Sequence, residues 1–276
     1  MKFLSNLHTH TLYCDGKNTP EEYIQKAIEK GFISIGFSGH SYLDFGEDWF
    51  MGTNETKEYI KEIRELKEKY KNKIEVYLGI ETDYYSNFNK NSKVELGLDF
   101  IIGSVHFIKD EKTNEYYCVD HTPEALEEGI KKYGSVKEYI KKYYDTVRKM
   151  IIEQKPDIIG HLDLVKKFNS ENRFFDENSP WYKEAVNETL EIIKGNNLIV
   201  EINTGGMSRG WTDFPYPSSF ILEMILDKKI PITLNSDTHS VETIDYYFEE
   251  SIQILKNIGF KNIMILKNSS FQENEL

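Results

Sequence analysis

The sequence predicts an α/β fold, a closed barrel of parallel strands wrapped by helices, and three observations carry that expectation. Short apolar, β-branched runs alternate with amphipathic helical stretches almost from end to end. Several helix starts between them are marked by a capping residue followed by proline. No low-complexity linker and no strong internal repeat divides the chain. Strands separated by helices of this length favour a parallel sheet, and seven or eight such units favour closure. One domain is therefore expected over residues 1–276, a length at which single barrels are common.

Taken in order, the expected strands are Phe3–Leu7, Ile33–Phe37, Ile74–Ile80, Phe100–Val105, Asp157–Gly160, Leu198–Ile202 and Ile230–Leu234, with Asn262–Leu266 as a further run of the same kind. Thr19-Pro20-Glu21-Glu22 opens a helix: the threonine caps it, proline fits the first turn, and Glu22 can bond back to the cap. Thr122-Pro123 and Ser179-Pro180 repeat the arrangement. In Tyr59–Tyr70, Ile60, Ile63, Leu66 and Tyr70 recur at intervals of three and four, the stripe of a helix that buries one face. Ser41–Thr53 and Asn203–Ser218 show neither period. Loops after barrel strands lie on the C-terminal face, where active sites are built. Both segments are expected over the site, either as lids or as irregular connections.

Net charge is −12, from 34 basic and 46 acidic residues. That balance argues against nucleic acid as a partner, because such binding relies on Lys and Arg at phosphates. A small anionic substrate would need a local positive centre, which bound divalent ions can supply. No apolar run approaches the roughly 20 residues of a membrane span. The first residues do not read as an export signal, and Cys14 and Cys118 do not form a disulfide framework, so a cytoplasmic setting is expected.

Six of the seven histidines fall at or just beyond a candidate strand end. His8 and His10 follow the first strand, His40 the second, His106 the fourth, His161 the fifth and His239 the seventh. Asp15, Glu81 and Asp237 join them at the same rim. In His-X-His both rings share a face, because side chains alternate along a strand. Imidazole and carboxylate without thiolate suit Zn, Mn or Fe. Nine such ligands exceed one tetrahedral site and suffice for two or three sites with open positions. His121, before a helix cap, reads as a surface histidine, and Cys14 and Cys118 read as packing residues.

At these residues the chain resembles the polymerase-and-histidinol-phosphatase (PHP) family. The resemblance rests on Leu7-His8-Thr9-His10-Thr11 with Asp15, Gly39-His40, Gly79-Ile80-Glu81, the later His106 and His161, and Ser236-Asp237-Thr238-His239. Ile102-Gly103-Ser104-Val105-His106-Phe107, Gly160-His161-Leu162-Asp163-Leu164-Val165 and Glu81-Thr82-Asp83-Tyr84 resemble its monofunctional histidinol-phosphatase branch. The resemblance implies a distorted seven-stranded (β/α)7 barrel with three metals on its C-terminal face. It implies His8, His10, Glu81 and Asp237 at a first metal, Glu81 bridging to a second with His106 and His161, and Asp15, His40 and His239 at a third. Other members often carry histidine where this chain has Asp15.

The implied reaction is hydrolysis of L-histidinol phosphate, a step of histidine biosynthesis, by a metal-bridging hydroxide. The alternatives are another phosphoesterase of the family, acting on phosphotyrosine or nucleic-acid ends, and a non-catalytic metal-binding module. Asp237 is the candidate proton donor to the leaving alkoxide, or serves purely as a ligand. Arg209 is the candidate phosphate contact, since a guanidinium offers phosphate two donors. Lys166 or Lys167 is expected to assist it, and Tyr42, Phe45, Trp49, Tyr84 and Trp211 are the aromatics available to stack on a ring.

Overall fold

The computed structural model of the chain describes residues 5–45, 48–86 and 88–276. Its elements in chain order are β1 (Ser5–Asn6), α1 (Pro20–Glu29), β2 (Ser34–Phe37), α2 (Thr53–Tyr70), β3 (Glu75–Asp83), α3 (Lys90–Glu95), β4 (Phe100–Ser104), β5 (Phe107–Lys109), β6 (Tyr116–Cys118), α4 (Pro123–Tyr133) and α5 (Val136–Glu153). There follow β7 (Ile158–Ile159), α6 (Pro180–Gly195), β8 (Ile199–Asn203), α7 (Gly205–Ser208), α8 (Ser219–Lys228), β9 (Ile232–Asn235), α9 (Phe248–Ile258), β10 (Asn262–Lys267) and β11 (Ser270–Glu275). Seven strands pair in parallel in the order β1-β2-β3-β4-β7-β8-β9. Beyond the ends of β1 and β9 the backbone bridges Thr9 to Thr238, with His10 N donating to Thr238 O at 2.9 Å, so the barrel is nearly closed.

The helix starts form as their sequences direct. Thr19 accepts from Glu22 N while Glu22 bonds back to the Thr19 amide, a complete capping box with Pro20 in the first turn. Thr122 caps α4 through Ala125 N, whereas Ser179 makes no side-chain cap bond at α6. In α2, Ile60, Ile63, Leu66 and Tyr70 are buried on one side.

Two apolar layers hold the frame. Outward-facing strand residues such as Ile35, Phe37, Val76, Leu78, Ile80 and Ile101 pack under the helices. Inside the barrel Leu7, Tyr77, Phe100, Ile102, Ile158 and Ile199 form a second cluster with Leu266. Phe100 fits because glycines face its ring: a Cβ at Gly36 would lie 2.8 Å from it, and one at Gly79 would overlap it outright. The further run Asn262–Leu266 is a strand as well, separate from the seven of the barrel. It becomes β10, outside the barrel, paired antiparallel with β11 through a turn at Asn268 and Ser269, both with positive φ. That two-residue turn has the left-handed geometry of a hairpin. A second hairpin, β5–β6, with strands too short to show a period in the sequence, follows β4.

Candidate metal centre

Most of the functional side chains follow directly on strand ends, while Asp15 and Arg209 come from the loops beyond β1 and α7. His8 and His10 lie just past β1, where the bridge to Thr238 keeps the chain extended and brings the rings to 5.1 Å between centroids. His40 pairs with Glu81 as an isolated parallel bridge beyond β2. The His106 amide donates to Asp83 Oδ2 at 2.8 Å, and that of His161 donates to Glu201 Oε2 at 3.0 Å. After β9, Asp237 takes φ +48°, a left-handed conformation costly for most residues and tolerated best by Asp and Asn. The turn sets its carboxylate 3.2 Å from His10 Nε2 and 3.6 Å from His8 Nε2.

Glu81 sits at the centre, 1 % exposed. Its Oε2 lies 3.0 Å from His40 Nδ1, 3.3 Å from His8 Nε2 and 3.5 Å from His10 Nε2. Its Oε1 faces the other way, 3.0 Å from His161 Nε2 and 3.7 Å from His106 Nε2, and accepts from Ser104 Oγ at 2.6 Å. Three groups of potential ligand atoms result: His8, His10 and Glu81; His40, Glu81 and His106; and His10, Asp15, His40 and His239. The grouping differs from the partition expected of the resemblance: His10 joins the Asp15 group, His40 joins the His106 group, and Asp237 and His161, expected at the first and second metals, lie beside these groups without belonging to one. An imidazole has two nitrogens on different edges, so a ring standing between two clusters can face both.

The donor set fits divalent ions. His8 Nε2, His10 Nε2, Asp15 Oδ1 and Glu81 Oε2 are buried and have no hydrogen-bond partner among the described residues. Leaving such groups unmade is expensive, and a cation between unprotonated imidazoles and carboxylates satisfies them all.

Protons stand in for that charge when no cation is bound. Burial alone would lower the pKa of His8, but Glu201, Glu81 and Asp237 raise it well above its ordinary value. Burial likewise opposes the charged form of His106, yet Asp83 and Glu81 push its pKa up to about 9. Burial tends to raise Glu81 and Asp237, but His8, His40 and His106 hold the first well below the usual carboxylate range, and Arg209 and His8 hold the second there. His239, half-buried and stacked on His10 with centroids 4.1 Å apart, is lowered to about 4 by its partial removal from water and by the neighbouring His10.

Above the cluster lies a cavity of about 330 Å³, lined among others by Trp49, Asp120, His121, Lys167 and Arg209. Arg209 donates from Nη2 to Asp237 Oδ2 at 3.0 Å and from Nη1 to the Asp237 carbonyl at 3.1 Å. Lys166 is placed elsewhere: it is buried, donates to Ser218 Oγ at 2.7 Å and lies 3.4 Å from Asp163, while its neighbour Lys167 lines the cavity. The two are consecutive, at the end of the short 3₁₀ turn Leu164–Lys166, and neighbouring side chains of such a turn point about 120° apart. His121 and Cys118, read as bystanders, belong to the lining. Of the candidate aromatics, Trp49 borders the cavity with its ring edge-on to His40 and His106, whereas Phe45 stacks on Tyr116 and Trp211 packs against Phe168.

The sequence reading missed Glu201. Fully buried, it meets His8 Nδ1 at 2.7 Å through Oε1, which also accepts from Asn235 Nδ2 at 2.9 Å. Its Oε2 accepts from Asn203 Nδ2 at 2.8 Å and from the His161 amide. A carboxylate on the far nitrogen of a metal-facing histidine fixes its tautomer and raises its basicity. The signal was a lone charge inside the apolar run Leu198–Ile202.

A near-closed seven-stranded parallel α/β barrel with His, Asp and Glu clusters at its strand ends defines a class of metal-dependent hydrolase scaffold. The PHP domain model matches residues 6–205, and the chain belongs to the PHP family. It is 29% identical over 264 residues to the histidinol-phosphatase of Bacillus subtilis, covering 89% of this chain and 97% of that one. Its fold matches the crystal structure of a putative histidinol phosphatase from Listeria monocytogenes with a TM-score of 0.79 at 24% identity, covering 89% of this chain and 99% of that one. It also matches histidinol phosphate phosphatase from Lactococcus lactis with a TM-score of 0.67 at 21% identity, covering 98% and 99%. Among the described residues no helix is long and apolar enough to cross a membrane.

Proposed function

We propose that the chain is a histidinol-phosphate phosphatase, hydrolysing L-histidinol phosphate to L-histidinol and phosphate. The observation that carries the reading is the convergence on Glu81 of five histidines from four strand ends, in a chain whose full-length relatives include histidinol-phosphatases. The Lactococcus lactis enzyme was crystallised with zinc, L-histidinol and phosphate, which supports the same substrate and a zinc-compatible centre here.

In this reading His8, His10, Asp15, His40, Glu81, His106, His161, Asp237 and His239 hold two or three divalent ions, Zn, Mn or Fe. When bound, such ions neutralise the phosphate oxygens and make a hydroxide available near neutral pH. Arg209 presents its guanidinium to the phosphate from the rim; Lys167 rather than Lys166 also lines the cavity, where it is paired with Asp120. We assign Asp237, which accepts from Arg209 and is held ionised by it, the task of taking the proton of an attacking water and returning it to the leaving alkoxide.

The test is a panel of phosphate monoesters offered to protein reconstituted with Zn, Mn or Fe. Histidinol phosphate should be turned over with the highest kcat/KM. Equal turnover of a generic aryl phosphate, or preference for phosphotyrosine peptides or nucleic-acid ends, would remove the proposed substrate. Inactivity with every ester and ion would leave only a metal-binding module.

A further inference from the structure

Four carboxylates line the cavity: Asp15, Glu81, Asp120 and Asp237. Three of them face the histidines of the cluster. Asp120 does not belong to that set, and the mechanism above leaves it without a task. It lies two residues beyond β6, on a segment tied down where Val119 N donates to the His106 carbonyl at 2.8 Å. Its side chain is 18% exposed. Lys167 Nζ approaches Oδ2 at 3.2 Å but makes its shorter contact, 2.6 Å, with the Asp120 main-chain carbonyl. Among the described residues Oδ1 is met only by the Cys118 thiol, a weak donor, at 3.5 Å.

A carboxylate with spare acceptor capacity is a poor wall for a pocket that takes a phosphate dianion. It repels the ligand unless the rest of that ligand is positively charged, in which case it separates the two ends: anion towards the cluster and Arg209, cation towards Asp120. Burial pushes the Asp120 carboxyl up, but Lys167, His106 and His161 bring it down to about 2, so it is ionised at any working pH. Trp49 and Leu164 supply the apolar remainder of the wall.

We propose that Asp120 determines substrate specificity by accepting the primary ammonium of an amino-alcohol phosphate while the metal cluster takes the phosphate. The inference rests on the phosphatase reading and deepens it. It assigns to one side chain the discrimination between an amine-bearing ester and a neutral one.

The experiment compares L-histidinol phosphate with its des-amino analogue, the same imidazolyl alcohol phosphate lacking the amine, in wild type and in Asp120→Asn. The lysine's contact with the main-chain carbonyl is unaffected by the substitution. A charge-assisted hydrogen bond corresponds to about ten- to hundredfold. Wild type should therefore favour the amine-bearing ester by that factor, and Asp120→Asn should lose most of the ratio, chiefly through KM. Asp120→Glu, which keeps the charge, should retain more of it than Asp120→Asn. Calorimetric binding of L-histidinol itself should weaken by a similar factor in Asp120→Asn, at unchanged metal content. If wild type hydrolyses both esters equally well, the phosphatase reading stands and Asp120 loses its role. The same holds if wild type discriminates and Asp120→Asn keeps the full ratio. If the two variants lose the ratio equally, the charge is not what is read. Wild type inactive on both esters defeats the phosphatase reading and this inference with it.

Discussion

The two ends of the barrel are made by the same strands and could hardly differ more. At the N-terminal end, Tyr77 of β3 and Phe100 of β4 fill the interior against Leu266 of the β10–β11 hairpin. At the C-terminal end the same two strands deliver Glu81 and Ser104, bonded to each other at 2.6 Å. On β3 the inward positions run Tyr77, Gly79, Glu81, two residues apart, so one strand changes from apolar plug to metal-facing carboxylate within a few residues. The lower end satisfies itself by packing. The upper end leaves buried nitrogens and oxygens unpaired, and needs ions or protons to be complete.

Substitutions at the two ends should therefore fail in different ways. The largest effect is expected from Glu81→Gln, which removes the charge shared by both sets of histidines. Turnover should fall by about a thousandfold or more, and elemental analysis should find fewer ions per chain. Full activity with full metal content would break the distinction between the ends. Next is Glu201→Gln, behind His8: competition with a chelator should show metal affinity reduced by about ten- to hundredfold, with the metal-free protein still folded but less stable, because the new amide N–H2 faces a donor in either orientation. A collapse of the fold instead would make Glu201 part of the frame.

Metal uptake should also depend on pH. With pKa values raised, His8, His10 and His106 carry protons at neutral pH in the metal-free protein, and ions must displace them. Apparent affinity should therefore rise as pH rises towards about 9, where His106 loses its proton unaided. Titrations at several pH values in unbuffered and buffered solution would count the protons released; none released would contradict the assignment. Arg209→Ala should raise KM for phosphate esters roughly tenfold, and unchanged steady-state kinetics would remove Arg209 from the site. The smallest effect on the centre is expected from Gly79→Ala at the plugged end. Its methyl overlaps the Phe100 ring, so stability should fall by about 1–3 kcal/mol in denaturant titrations. Metal content per folded molecule should be preserved.

Much of this contrast was legible in the sequence, for a physical reason. Strand periodicity and helix caps located the strand ends, and residues just past a parallel strand end share one rim whatever their separation along the chain. His8 and Asp237, 229 positions apart in the numbering, meet that way at 3.6 Å. What the sequence hid depends on detail that no period encodes. Glu201 lies within β8 and reads as part of an apolar strand. Asp120 follows a hairpin whose strands are three residues each, too short to show alternation. Asn262–Leu266 has the composition of a barrel strand, and only the turn at Asn268 and Ser269, without the glycine that usually marks one, folds it back. Which ring faces which ion depends on backbone turns such as that of Asp237.

The polar rim, with its unpaired buried nitrogens and oxygens, should be complete only with a cluster of cations around Glu81. Crystals grown with zinc or manganese and measured at that element's absorption edge address it directly. Two or three anomalous peaks are expected, one between His8, His10 and Glu81 and another beside Asp15 and His239, with the Glu81 carboxylate between neighbouring ions. Peaks confined to the exterior, with the histidines around Glu81 left bonded to one another or to water, would contradict it.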